Sequence, residues 1–423
     1  MIMPNESRLS ADFLRFRLPL GTFPPQSPSK SCALGLDPPM SRAHLPPSPN
    51  LAVTDRARPL LFTPGPVPIA PHLLDIGCTQ PPYNRTEEFS AFTHEILDGL
   101  NYVFQTQGSV ALLTASGTAA MEAGVLNFLN PSDRALVING GTFGQRWCDL
   151  CAVYSIPYDE LELAPGEDVD LDRLEDLLIN GGYTAVMINA HETSTGQLYD
   201  LHTIGELTHR HGVFSIVDAI STVCADEFLM DDWHIDVAIL SSQKALALPP
   251  GLSFVAMNQK AVDRLHRNPP RSLYFDLRDY LSNQLRGQLP YTSAIGLMLQ
   301  LHQRLLDIRR ESLPSLVMKH RQRAEHFRRA MATSSFEVLP SRPSNAMTAL
   351  WSDSLDARHV AETLRIDHNI VVAPSGGALK SKLIRISHMG AQDDAGVATL
   401  VGALAHIVAS PPATHTTIER IRT

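Results

Sequence analysis

Six short apolar runs recur along the middle of the chain, and helical spacing follows several of them. SVALLTA (109–115) leads into SGTAAMEAGVLNFL, RALVING (134–140) into a helix through QRWCDLCAVY, and YTAVMINA (183–190) into LHTIGELTHRHG. VFSIVDA (213–219), DVAILSS (236–242) and LSFVAMN (252–258) complete the set. Apolar runs of this length suit strands buried on both faces, and amphipathic helices between them suit the covering layers. The pattern predicts an α/β fold on a mostly parallel sheet. From about residue 290 helical spacing dominates, in SAIGLMLQLHQRLLDIRRE and SLPSLVMKHRQRAEHFRRAMA. AMTALWS, a helix from Asp356, NIVVAP, LIRISHMG and a final helix to about Ser410 then predict a smaller appended α/β segment.

The first 55 residues lack this order. FPPQSPSK, DPPM and LPPSPN are rich in Pro and Ser, so 1–55 is expected to be a disordered tail. The expected domains are 56–305, large and cofactor-binding with an N-terminal arm, and 306–423, small. The start has no basic region followed by an apolar one, which argues against a signal peptide. No run reaches the length of a membrane span.

Composition narrows the partners. With 423 residues and 44% hydrophobic, the chain can bury a large core. A net charge of −9 argues against a nucleic-acid surface. Five scattered cysteines (Cys32, Cys78, Cys148, Cys151, Cys224) suit a reducing, cytoplasmic setting. Cys148 and Cys151 form a C-x-x-C with no second ligand pair at zinc spacing, and read as helical core positions rather than a metal or redox site.

Open α/β sheets bind ligands beyond the carboxyl ends of their strands. There the first run gives Ser116-Gly117-Thr118, opening a helix, which reads either as a plain N-cap or as an anion site. VFSIVDA ends in Asp218, a buried carboxylate needing a partner, either a structural hydrogen bond or a protonated ring nitrogen. DVAILSSQK ends in Lys244, flanked by apolar residues; desolvation would favour its neutral, nucleophilic form. Anion anchor, acid and lysine in that order point to pyridoxal phosphate.

DVAILSSQKALALPPGLSFV (236–255) resembles the lysine signature of the class V pyridoxal-phosphate aminotransferases, most closely the alanine–glyoxylate and serine–glyoxylate (serine–pyruvate) branch. TPGP (63–66), YNRTEEF (83–89), TASGTAAMEA (114–123), NGGTFGQRW (139–147), HETSTG (191–196), VDAIST (217–222) and IRISHMG (384–390) are similar to its other motifs, so the resemblance spans about 60–410. It implies the fold-type I architecture: a large domain with a mostly parallel seven-stranded sheet, a small C-terminal α/β domain, and a homodimer. It also implies site roles. Lys244 forms the aldimine with the cofactor and moves the proton at Cα. Asp218 holds the ring nitrogen, and Ser116, Gly117, Thr118 and Gln243 hold the phosphate. Phe143 stacks on the ring, and Thr193 lies near its 3-oxygen. Thr292 reaches the phosphate from the other subunit. Arg385 clamps the substrate α-carboxylate, and Gly65 lines the substrate side. His191 and Glu192 read as supporting or packing residues, not metal ligands.

The resemblance implies an aminotransferase moving an amino group from a small serine- or alanine-like amino acid to glyoxylate or pyruvate. The alternatives are a 2-aminoethylphosphonate transaminase, which Gln243 argues against; a lyase or decarboxylase using the same cofactor; and a non-catalytic dimeric binding protein. No nucleic acid, membrane or metal partner is expected.

Overall fold

The computed structural model describes residues 58–409; the expected tail lies outside the described residues. Seven strands form the central sheet, in the order Ser109–Leu113, Ser253–Met257, Val237–Ser241, Phe214–Asp218, Ala185–Asn189, Ala135–Asn139, Tyr158–Glu162. Ser253–Met257 runs antiparallel to both neighbours, and the remaining pairs are parallel. The mostly parallel seven-stranded sheet is thus observed.

The apolar runs become strands because each is covered twice. Successive side chains of a strand point to opposite faces. In Val237–Ser241, Ala238 and Leu240 enter one core, while Val237 and Ile239 enter the other. Phe254 and Ala256 divide from Val255 and Met257 in the same way. Each fully buried large side chain of this kind contributes about 1.5–3 kcal/mol. The sequence reading overlooked one strand, Tyr158–Glu162. It lies at the sheet edge with only Leu161 buried, so its YDELE sequence carries no apolar run.

Beyond the large sheet, Glu337–Val338, Met347–Trp351, Leu383–Ser387 and Ala373–Pro374 form a second, antiparallel sheet. Helices Leu313–Met331, Ala357–Asp367 and Asp394–Ala409 share its core through Phe327, Leu364 and Leu400. Leu60–Leu61 pairs in parallel with Ile370–Val371, so the first described residues join this layer. Asp356 caps the helix expected from this point by accepting from Arg358 N (2.8 Å). Cys148 and Cys151 lie buried on helix Thr142–Val153. Burial pushes both thiols up to about 12, leaving them inert.

Candidate active site

Five loops converge at the carboxyl edge of the large sheet, following strands that end at Leu113, Asn139, Asn189, Asp218 and Ser241. Lys244 stands three residues past the last of these. Its loop is closed on itself: Ser242 Oγ donates to Pro249 O (2.7 Å) and accepts from Leu252 N (3.3 Å), and Ala247 N donates to Lys244 O (2.8 Å). Arg304 braces it from below, giving Nε to Leu246 O (3.0 Å).

The Lys244 amine donates to Pro64 O (2.7 Å). Burial lowers its pKa to about 8; Asp218 opposes the shift, while Arg385 and Arg146 add to it. Gly65 lies against the amine. Its φ is +145°, and a Cβ there would stand 2.8 Å from Lys244 Nζ, so both backbone and space require glycine.

Asp218 is buried at the end of its strand and accepts from Asn189 Nδ2 (2.9 Å) and Ile220 N (2.9 Å). Burial raises its pKa to about 6, with Glu192 adding to the shift and Lys244 and Arg146 opposing it. Ser116 caps helix Gly117–Phe128 by accepting from Ala119 N (3.4 Å), so the N-cap reading is realised. The cap uses the exposed Ser116 hydroxyl as an acceptor and leaves its hydrogen free to donate. A Cβ on Gly117 would stand 2.5 Å from Ile220 Cδ1 and 3.1 Å from Ser241 Oγ, which ties this loop to those of Asp218 and Lys244.

Thr193 Oγ1 and His191 Nδ1 both meet Ser221 Oγ at 3.0 Å. His191 is fully buried, and its pKa falls to about 3, first through burial and then through Lys244. Its imidazole is neutral at physiological pH. Glu192, 1% exposed, accepts from Gly144 N (2.9 Å), Phe143 N (3.2 Å) and Ser194 N (3.0 Å). It serves as the anion at the amino end of helix Thr142–Val153 and fixes where Phe143 stands. The sequence reading gave it only a supporting or packing role.

Arg385, third in strand Leu383–Ser387, donates to Thr193 O (3.3 Å) and Pro374 O (3.0 Å). Its Nε has no partner, and no carboxylate lies within ion-pair distance among the described residues. The structure therefore gathers Lys244, Gly65, Asp218, Gly117, Thr193, Phe143 and Arg385. Gln243, beside Lys244, and the exposed Thr118 and Thr292 make no side-chain hydrogen bond among the described residues. Thr292 lies two residues before Ala294, whose N–H donates to Thr114 Oγ1 of the same chain (3.1 Å). Sequence reasoning missed Asn189, Ser221 and Arg146. Arg146 follows Phe143 by one helical turn, and its guanidinium lies over that ring, 5.0 Å from the centroid.

These residues fit pyridoxal phosphate. Arg385 is a half-buried cation short of an anion, Asp218 is a buried anion short of a paired cation, and Lys244 is an amine made partly neutral by its surroundings. Among the described residues no group of three or more His, Cys, Asp or Glu is placed to hold a metal ion, and no helix is long and apolar enough to cross a membrane.

Comparison with known proteins points the same way. Residues 82–275 match the family described as Aminotransferase class-V. The soluble hydrogenase small subunit of Synechococcus sp. is 31% identical over 357 residues, 83% of this chain and 93% of that protein. The L-aspartate–glyoxylate aminotransferase of Paracoccus denitrificans is 30% identical over 360 residues, 80% of this chain and 89% of that protein. Among solved structures, the alanine–glyoxylate aminotransferase of Nostoc sp. superposes with a TM-score of 0.79 at 27% identity, over 84% of this chain and 97% of that one.

Proposed function

The chain belongs to the class V aminotransferases, enzymes dependent on pyridoxal phosphate, and from that premise we propose that it moves an amino group from a small amino acid, serine or alanine in type, to glyoxylate or pyruvate. Glyoxylate is the acceptor named in both the Paracoccus and the Nostoc relatives. The Synechococcus relative's name describes that protein. Here the observation that carries the reading is the partly buried Lys244 amine, whose pKa burial lowers to about 8 and which feels the charges of Asp218 and Arg385.

Pyridoxal phosphate, when bound, supplies an electron sink for the bond broken at the substrate's Cα and a carrier for the amino group. This chain supplies the rest. Lys244 Nζ would hold the cofactor and then carry the proton away from Cα, a role suited to an amine whose pKa is near neutral. Asp218 Oδ1 and Oδ2, fixed by Ile220 N and Asn189 Nδ2, would accept the ring N–H. Its raised pKa reflects burial that the cations Lys244 and Arg146 only partly oppose, and a pyridinium would offset it. Ser116, Gly117, Thr118 and Gln243 would receive the phosphate, with Thr292 of the second subunit in a homodimer. Phe143, fixed through its amide by Glu192, would cover the ring face. Thr193, oriented by Ser221, would meet the 3-oxygen. Arg385 would take the α-carboxylate, and Gly65 would leave room beside Lys244. The setting in this reading is cytoplasmic.

The test offers the purified holoenzyme serine, alanine and a panel of other donors with glyoxylate or pyruvate, and measures the glycine or alanine formed. Serine or alanine should lead. Turnover confined to a phosphonate donor, or carbon dioxide or ammonia release in place of amino transfer, would overturn this reading.

A further inference from the structure

A short chain of hydrogen bonds runs from the core into the site, and His191 is its inner end. His191 opens the two-residue strand His191–Glu192, just past the large-sheet strand that ends at Asn189. Its Nδ1 stands 3.0 Å from Ser221 Oγ, which stands 3.0 Å from Thr193 Oγ1. All three residues are buried. The other ring nitrogen of His191, Nε2, is buried and has no hydrogen-bond partner among the described residues.

That orphaned atom sets the direction of the chain. A neutral imidazole carries one hydrogen, on Nδ1 or on Nε2. His191 is neutral because burial lowers its pKa to about 3; Lys244 and Arg385 add to the fall, and the Ser221 backbone opposes it. A hydrogen on Nε2 would be a buried donor with nothing to receive it, which is rarer than a bare acceptor. The less costly tautomer carries the hydrogen on Nδ1 and donates it to Ser221 Oγ. Ser221 is then free to give its own hydrogen to Thr193 Oγ1, and Thr193 turns its hydrogen into the site. The alternative acceptor for Ser221, His191 O, is farther away at 3.4 Å. In the opposite tautomer Nδ1 would take the Ser221 hydrogen. Thr193 would then keep its contact only by donating to Ser221, and would present lone pairs to the site. An anionic oxygen beside Thr193 is served by the first arrangement and repelled by the second.

We propose that His191 is a positioning residue, which acts through Ser221 to make Thr193 a hydrogen-bond donor to the cofactor's 3-oxygen. This rests on the reading above that places Thr193 at that oxygen. A donor there stabilises the oxygen's anionic form and weakens its hold on the proton of the nitrogen joining Lys244 to the cofactor. That proton should therefore leave at lower pH than it would without the relay. Asp218, Arg385 and Arg146 also act on Lys244. They are unchanged in the variants below, so differences among these report the relay.

The test is a pH titration of the visible band of bound cofactor in the holoenzyme. The midpoint should rise by about 1 in His191→Leu and by a similar amount in Ser221→Ala, with no further rise in the double variant. His191→Asn, whose side-chain amide can stand where Nδ1–H stands, should restore most of the wild-type midpoint. An unmoved midpoint in His191→Leu or Ser221→Ala, additive rises in the double variant, or a His191→Asn midpoint no lower than that of His191→Leu overturns the proposal. If His191→Leu fails to fold, Ser221→Ala decides by the same criterion. A second readout needs no cofactor. Long-range proton–nitrogen NMR of apoprotein labelled at histidine nitrogens should place the hydrogen of His191 on Nδ1, its signal identified by its loss in His191→Asn. A hydrogen on Nε2 overturns the proposal. A protein that takes up no pyridoxal phosphate overturns the functional reading and this proposal with it; an intact band with an unmoved midpoint overturns this proposal alone.

Discussion

The two ends of the central sheet treat charge in opposite ways. At the amino end, Asp236 accepts from Ser215 N (2.9 Å), Asn258 Nδ2 (2.8 Å) and Lys260 Nζ (2.8 Å). Asp133 there accepts from Arg264 Nη2 (2.5 Å), Thr184 Oγ1 (2.8 Å) and Asn130 N (2.9 Å). Each of these two carboxylates has a cation as its counterpart. At the carboxyl end, Asp218 has only neutral hydrogen-bond donors, Lys244 donates a hydrogen bond to a backbone carbonyl, and Arg385 keeps an unpartnered Nε. The same strands carry both ends, so the sheet does not require the imbalance. Buried charge left uncompensated costs free energy, and here it coincides with the site that receives a charged cofactor and substrate.

The largest effect that sharpens this contrast belongs to Lys244. Lys244→Ala should abolish both the visible absorption of bound cofactor and transamination, while far-ultraviolet circular dichroism stays that of the wild type. Retention of either property would break the contrast at its centre.

Arg385 comes next. Arg385→Lys keeps the charge and loses the planar fork, so kcat/KM for every amino donor should fall about a hundredfold, a loss of about 3 kcal/mol. Steady-state kinetics reads this directly, and a change of less than threefold would mean that Arg385 is a structural brace. At the opposite end, Asp236→Ala removes three hydrogen bonds and should lower unfolding free energy by about 2–4 kcal/mol. Denaturant titration measures the loss, and the cofactor spectrum and kcat should not change. A lost spectrum would show that the two ends are not independent.

The smallest effect is on pH dependence. In the apoprotein Lys244 has a folded pKa of about 8 against an ordinary 10.5. The unfolded chain binds the extra proton between those values, so stability should rise with pH across that window. Asp218 is raised from 3.8 to about 6, so the folded chain binds more protons there, and its contribution should fall as pH rises through that window. Unfolding titrations of Lys244→Met and Asp218→Asn should each flatten one limb and leave the other.

How much of this was legible in the sequence varied with burial. The strands around Val237–Ser241 and Phe214–Asp218 were plain because both faces are buried, which makes the whole run apolar. Tyr158–Glu162 was not, because an edge strand with one buried residue has no such run. Lys244, Asp218 and Arg385 stood out as charges in apolar surroundings. Glu192 and His191 did not. Their meaning lies in what the fold brings to them: the amides of a distant helix for Glu192, and the Ser221 hydroxyl for His191.

The central claim is that the unpaired groups at the carboxyl end form a transaminating site. It is tested most directly by adding serine or alanine alone, without acceptor, to the purified holoenzyme and following its absorption spectrum. The account predicts that the visible band of lysine-bound cofactor converts stoichiometrically to the amine form of the cofactor and returns when glyoxylate is added. A spectrum that no amino donor changes, or a protein that takes up no pyridoxal phosphate, would contradict it.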